Sequence, residues 1–85
     1  MRPTVTLYTR VGCLLCAEAE SALRRLAARL RFDLSVTDIE ADEELHRRFL
    51  FEVPVVAVGD RIVAQAPIDI RRLEEDLREA LRALD

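Results

Sequence analysis

Apolar residues follow two different spacings along the first half of the chain. Residues 5–8 are rich in β-branched and aromatic side chains and are bounded by Pro3 and Gly12, which predicts a first strand. From Cys13 to about Leu30, apolar residues recur every three or four positions, which predicts an amphipathic helix.

The next segment returns to a strand-like alternation. Phe32, Leu34 and Val36 alternate with polar residues and predict a second strand. A short helix is predicted over about residues 42–49, because acidic residues open this segment and arginines lie near its end, as the helix dipole favours.

The remaining residues predict a hairpin and a last helix. Residues 53–58 form a continuous apolar run, which is typical of a strand buried on both faces. Gly59-Asp60 is a two-residue turn with glycine first, typical of type II′, and residues 61–65 return as the antiparallel partner. Asp69 is predicted to cap a helix whose apolar face comprises Ile70, Leu73, Leu77, Ala80, Leu81 and Leu84.

The order of the elements points to one fold class. A strand-helix-strand unit favours parallel, right-handed strand pairing. We therefore predict an α/β protein with a four-stranded mixed sheet flanked by three helices. A chain of 85 residues has the length of a single domain, so residues 1–85 are predicted to form one.

Charge and hydropathy exclude several classes of protein. Thirteen basic residues, all arginine, stand against 16 acidic ones, and the net charge of −3 argues against a nucleic-acid partner. The longest apolar run is far shorter than the ~20 residues that span a bilayer, and the N-terminus lacks a signal-peptide core. We expect a cytoplasmic monomer without a membrane partner.

The two cysteines, Cys13 and Cys16, call for a chemical explanation. A disulfide between them closes too short a loop to stabilise the fold much. At the start of the predicted helix they lie one turn apart, close enough to bond. Unpaired backbone N–H groups there stabilise a thiolate at Cys13, whereas Cys16 is expected to be more buried.

This placement predicts a dithiol–disulfide cycle and no metal site. Cys13 would attack a substrate disulfide, and Cys16 would resolve the mixed disulfide and leave a Cys13–Cys16 disulfide. Two alternatives stay open from the residues alone. The cysteines could merely pack in a non-catalytic binding module, or they could bind a metal there, which would require carboxylates or a second chain because His46 is the one histidine.

The segment from Tyr8 to Cys16, together with Val53-Pro54, resembles the thioredoxin superfamily. Within it, the chain is most similar to short glutaredoxin-like proteins with a Cys-x-Leu-Cys motif, over nearly its whole length. The resemblance implies a thioredoxin-like (glutaredoxin) fold and a thiol–disulfide oxidoreductase without a tightly bound cofactor. It also implies that Pro54 is cis and faces the cysteines, and that the backbone of Val53 pairs with the substrate.

Further substrate contacts are implied for Arg10, Leu14 and Leu15. Arg10 stands where glutaredoxins often carry a lysine that meets the glutathione carboxylate. The implied partners are a disulfide-containing protein substrate and a reductant, which is either glutathione as co-substrate or a thioredoxin-reductase-like flavoprotein. Residues 49–51 are expected in the core, with the alternative left open that one of them rims the groove beside Pro54.

Some positions differ from the glutaredoxin pattern. Glu52 replaces the usual threonine before Val-Pro, and Leu14-Leu15 replaces Pro-Tyr between the cysteines. Ala64-Gln65 stands where glutaredoxins carry Gly-Gly against glutathione, and Asp69 is the nearest acidic residue after it. These differences concern the glutathione site and not the cysteine pair.

Overall fold

The computed structural model describes residues 2–84, which form one mixed sheet with helices on both faces. The strand order is β2-β1-β3-β4, with β1 parallel to β2 and antiparallel to β3, and β3 antiparallel to β4. The predicted four-stranded sheet flanked by three helices is confirmed, whereas the first and last residues of the predicted domain, Met1 and Asp85, lie outside the described residues. The elements are β1 (Thr4–Thr9), α1 (Leu14–Leu30), β2 (Asp33–Asp38), a 3₁₀ turn (Ile39–Ala41), α2 (Glu43–Phe49), β3 (Val55–Val58), β4 (Arg61–Gln65) and α3 (Ile70–Arg82).

One face of the sheet is covered by α1 and α3. Side chains alternate between the two faces of a strand, so Val5 and Leu7 of β1 project to the same side. Val56 and Val58 of β3 join them against the two helices. The resulting large cluster comprises Val5, Leu7, Ala19, Ala22, Leu23, Leu26, Phe32, Val56, Val58, Leu73, Leu77 and Ala80.

The opposite face is covered by α2 and the 3₁₀ turn. Here Ile39, Phe49 and Val55 form a small cluster, and the ring of Tyr8 stacks on Phe49 with centroids 4.8 Å apart. The 3₁₀ turn that supplies Ile39 was absent from the prediction, because three residues are too few to display a helical period.

Several predicted boundaries differ from the structure by one or two residues, and two of these differences have a clear physical reason. The helix predicted from Cys13 begins at Leu14, because Cys13 is its N-cap and has extended backbone angles. The strand predicted from Val53 begins at Val55, since Pro54 has no N–H to donate to a ladder. The prediction that this strand is buried on both faces is confirmed over residues 55–58.

The predicted hairpin turn is confirmed. Gly59 has φ +59°, and Asp60 is outside the positive-φ region, as a type II′ turn requires. Glycine adopts this φ without the steric penalty of a Cβ.

The last helix follows its prediction over most of its length. Asp69 is the N-cap and accepts from the Arg71 N–H at 3.0 Å. Leu73, Leu77 and Ala80 are buried, but the expected apolar face is too long at both ends. Ile70 is the first residue of α3 and Leu84 follows its end, and both side chains are exposed.

Candidate functional site

The loop between β1 and α1 places Cys13 at the helix start. Gly12 has φ +81°, a backbone conformation that glycine adopts without strain. The Cys13 N–H donates to the Arg10 carbonyl at 3.3 Å and closes the turn. The chain then enters α1 with Cys13 as the N-cap residue.

The Sγ of Cys13 accepts a hydrogen bond from the backbone N–H of Cys16 at 3.1 Å. A sulfur in this position takes the role that a serine or aspartate oxygen has at other N-caps. When the sulfur is a thiolate, the hydrogen bond becomes charge-assisted and the dipole of α1 adds to it. The first turn, residues 14–17, carries no acidic side chain that would oppose this charge.

The two cysteines have different surroundings. Their sulfurs are joined as a disulfide, and their Cα atoms lie 5.2 Å apart. Cys13 is partly exposed, whereas only 1% of Cys16 is exposed. An incoming disulfide can therefore reach Cys13 but not Cys16 without displacing other atoms.

A groove of about 280 Å³ opens beside Cys13. It runs between the β1–α1 loop and the rim loop, which we define as residues 50–53. The structure thus brings Arg10, Cys13 and Val53 together. The groove is lined by Arg10, Val11, Gly12, Cys13, Leu50, Phe51 and Val53.

The other predicted site residues lie next to the groove and do not line it. The Val53–Pro54 peptide bond is cis, and the side chain of Pro54 is fully buried. Leu14 and Leu15, in the first turn of α1, are exposed to solvent.

The backbone N–H of Val53 already has a hydrogen-bond acceptor within the protein. Its N–H donates to the Phe49 carbonyl at 3.1 Å, and its side chain packs against the small cluster. The resemblance implies that this backbone pairs with substrate. In the structure, an added strand would meet an N–H that already has an acceptor.

Arg10 forms an ion pair with Glu40 of the 3₁₀ turn, with 3.6 Å between Nε and Oε1. The parallel pairing of β1 with β2 places Thr9 opposite Asp38, so the segments that follow the two strands meet at one edge of the sheet. The Asp38 carboxylate then accepts from the Glu40 N–H at 2.9 Å and shapes the turn. Sequence reasoning missed Glu40, although the expected parallel pairing was a signal that could have located it.

The segment after β4 connects to the rim loop. The Ala66 N–H donates to the Glu52 carbonyl at 3.2 Å, and the Ala66–Pro67 bond is cis. Ala64 belongs to β4 and packs against the large cluster. The carboxylate of Asp69 accepts from a backbone N–H at the start of α3.

Two further findings concern the described part of the chain. Within residues 2–84, no group of three or more His, Cys, Asp or Glu residues is placed to hold a metal ion. No helix in the same range is long and apolar enough to cross a membrane.

Comparison with known proteins places this geometry in a family. Residues 4–78 match the model of the glutaredoxin-like domain (DUF836). The uncharacterized protein Rv0508 of Mycobacterium tuberculosis is 31% identical over an alignment of 81 positions that covers 89% of this chain and 84% of the relative. The family resemblance inferred from the cysteine segment and Val53-Pro54 is confirmed.

Solved structures support the same fold. The solution structure of protein Ne2328 from Nitrosomonas europaea is 30% identical, covers 95% of this chain and 93% of its own, and has a TM-score of 0.76. Thioredoxin 1 of Thermosipho africanus has a TM-score of 0.71 over 95% of this chain and 97% of its own, at 16% identity. The thioredoxin-like fold is thereby confirmed.

Proposed function

Because the chain belongs to the glutaredoxin-like domain family, we propose that it is a thiol–disulfide oxidoreductase that reduces disulfides through Cys13 and Cys16. The observation that carries the proposal is the contrast between the two cysteines. The Sγ of Cys13 caps α1 and lies at an open groove, whereas Cys16 is buried one turn behind it.

The reaction consists of two exchanges between sulfur atoms. The Cys13 thiolate attacks one sulfur of the substrate disulfide, which forms a mixed disulfide and releases the other sulfur as a thiolate. The Cys16 sulfur then attacks Cys13 Sγ, forms the Cys13–Cys16 disulfide and releases the second substrate thiolate. Two electrons and, after protonation, two protons pass to the substrate, and an external thiol or dithiol donor returns them.

The helix start favours the first of these steps. The Cys16 N–H and the α1 dipole stabilise the Cys13 thiolate as the attacking group. The 5.2 Å between the two Cα atoms lies within the range that disulfides span, so the resolving step needs no large backbone movement.

Single-turnover reduction tests this function without an assumed electron donor. The pre-reduced protein is mixed with a model disulfide, and the released thiol is measured against time. We expect Cys13→Ser to abolish thiol release, because a serine oxygen at the N-cap keeps the helix but cannot attack. Cys16→Ser is the matched variant, and we expect it to release one thiol and accumulate a mixed disulfide visible by mass spectrometry.

Undiminished thiol release by Cys13→Ser would contradict the mechanism. A binding module whose cysteines pack or bind metal would then be favoured. Mass spectrometry with and without reductant separates these outcomes. A reversible loss of two hydrogens supports the redox pair, whereas stoichiometric retained zinc supports the module.

A further inference from the structure

The most exposed large apolar side chains of residues 2–84 all lie beside Cys13. Phe51 is 94% exposed, Val11 82% and Leu14 73%, and every other large apolar side chain in this range is 56% exposed or less. Val11 and Phe51 line opposite sides of the groove, and Leu14 directly follows Cys13. A single exposed leucine needs no explanation, but a group of apolar side chains around one reactive atom marks a surface that a partner covers.

The charges around the groove disfavour an anionic occupant. Arg10 is the one charged residue in the groove lining, and it is held by Glu40. A ligand carboxylate that approaches Arg10 must therefore compete with Glu40.

Glutathione disulfide and a disulfide within a polypeptide differ in the groups that flank the cysteine. In glutathione, the residues on both sides of the cysteine end in free carboxylates. In a polypeptide, the cysteine is joined through neutral amides to neighbours that carry side chains. An apolar neighbour would bury its surface against Phe51, Val11 or Leu14, which favours binding in proportion to the area removed from water.

We propose that the groove selects a disulfide within an apolar polypeptide segment and discriminates against glutathione. This inference rests on the proposed function and names its substrate class. Phe51, Val11 and Leu14 form the apolar rim that attracts the segment. Glu40 acts as a specificity-determining residue, because it occupies Arg10 and denies it to a ligand carboxylate.

The chemistry of the step is the cycle described above. Cys13 and Cys16 supply two electrons, the bond between the two substrate sulfurs breaks, and the Cys13–Cys16 bond forms. Both leaving groups are cysteine thiolates of the polypeptide, which then take up protons.

The test compares three disulfides in single turnovers of the pre-reduced full chain. They are bis(2-hydroxyethyl) disulfide, which is small and neutral, glutathione disulfide, and a cystine peptide with leucine next to each cysteine and blocked, uncharged termini. We expect the wild-type protein to reduce the leucine peptide about tenfold faster than glutathione disulfide, as one partly buried leucine and one unfavourable charge together predict.

Two variants test separately whether the apolar rim attracts the peptide and whether Glu40 excludes glutathione disulfide. Phe51→Ser should lower the ratio of the peptide rate to the small-disulfide rate about fivefold. Glu40→Gln should raise the ratio of the glutathione-disulfide rate to the small-disulfide rate about threefold, because it releases Arg10. Leu84→Ser and Glu75→Gln, which change an exposed leucine and an exposed glutamate that do not line the groove, should leave both ratios unchanged.

Each contrary outcome has a separate meaning. Equal rates with the peptide and with glutathione disulfide, or ratios that neither variant alters, would overturn the selection. Sedimentation that shows a wild-type dimer lost in Phe51→Ser would also overturn it, since a second copy would then cover the rim. No reaction with any of the three disulfides would overturn the proposed function, and this inference with it.

Discussion

On the face covered by α1 and α3, the large cluster joins buried residues of β1 and β3 to both long helices. On the face covered by α2, the buried members of the small cluster are only Ile39, Phe49 and Val55. The two sides of the groove are each packed on one of these clusters, which differ in size. Cys13 is held by α1, which packs through Ala19 and Leu23 into the large cluster. The rim loop follows α2 and rests on the small cluster.

From this difference in cluster size we expect the two sides of the site to differ in local stability. Regions with fewer buried apolar contacts open at a lower free energy than the main core. The cysteine pair thus sits on the face with the larger cluster. The rim loop, with Phe51, sits on the face with the smaller cluster, and we expect it to open at a lower free energy.

Two neighbouring valines of β3 test the comparison directly. Val55 and Val56 are both fully buried but face opposite clusters. We expect Val56→Ala to lower the free energy of unfolding by about 2–3 kcal/mol and Val55→Ala by about 1–2 kcal/mol, because the thinner cluster can collapse around the lost methyl groups. Urea unfolding measures both values, and equal losses would contradict the difference between the faces.

Hydrogen exchange measures the same difference without a substitution. Amides of α2 and the Val53 N–H, which donates to the Phe49 carbonyl, should exchange at least about tenfold faster than interior amides of α1, after correction for intrinsic rates. The physical reason is that opening α2 exposes only the small cluster. Protection of α2 equal to that of α1 would show that both faces open together.

The N-caps of the helices provide a matched pair of variants. Asp42 accepts from the N–H groups of Glu44 and Leu45 at 2.9 and 3.1 Å, and Asp69 accepts from that of Arg71. Replacing either aspartate with alanine should cost about 1 kcal/mol. We expect Asp42→Ala to speed exchange in α2 but not in α3, and Asp69→Ala to do the reverse. If either variant speeds exchange equally in both helices, the caps stabilise the whole domain and not a single helix.

The smallest expected effect is a gain in the free energy of unfolding, and it concerns the residue that ends α1. Arg31 follows the helix with φ 60°, and among residues 2–84 it is the one non-glycine residue with positive φ. Arg31→Gly should raise the free energy of unfolding by about 0.5 kcal/mol, since glycine removes the strain but loses more entropy on folding. Ala28→Gly, inside the same helix, is the control and should lower it by about 1 kcal/mol. A loss of stability in Arg31→Gly would show that the arginine side chain contributes more than its backbone costs.

Most of the fold followed from patterns that act over a few residues. The continuous apolar run of residues 53–58, followed by a turn with glycine first and by residues 61–65, led to the hairpin. Boundaries failed where one residue has a special role, as with Cys13 at the N-cap and Pro54 before β3. The 3₁₀ turn with Ile39 was missed because a periodic signal needs more than three residues.

Parts of the site were within reach of the sequence and others were not. The cysteine pair at a helix start is a local feature, so its position and the unequal burial of its members could be predicted. The ion pair of Arg10 with Glu40 joins residues thirty positions apart, and it depends on the register of β1 with β2. Likewise, Phe51 was expected from its apolar neighbours to be either core or rim, and only the packing of α2 against the sheet places it at the groove.

There is a physical reason why some features could be predicted from the sequence and others required the tertiary structure. Periodicity, capping and turn chemistry act between neighbours in the chain, so the sequence alone was enough for the order of elements, the hairpin and the placement of Cys13 and Cys16. Which charge meets Arg10, which carbonyl holds the Val53 N–H and which side chains border the groove depend on segments that meet only after folding. The tertiary structure therefore decided the surroundings of the cysteines, on which the proposed substrate class rests.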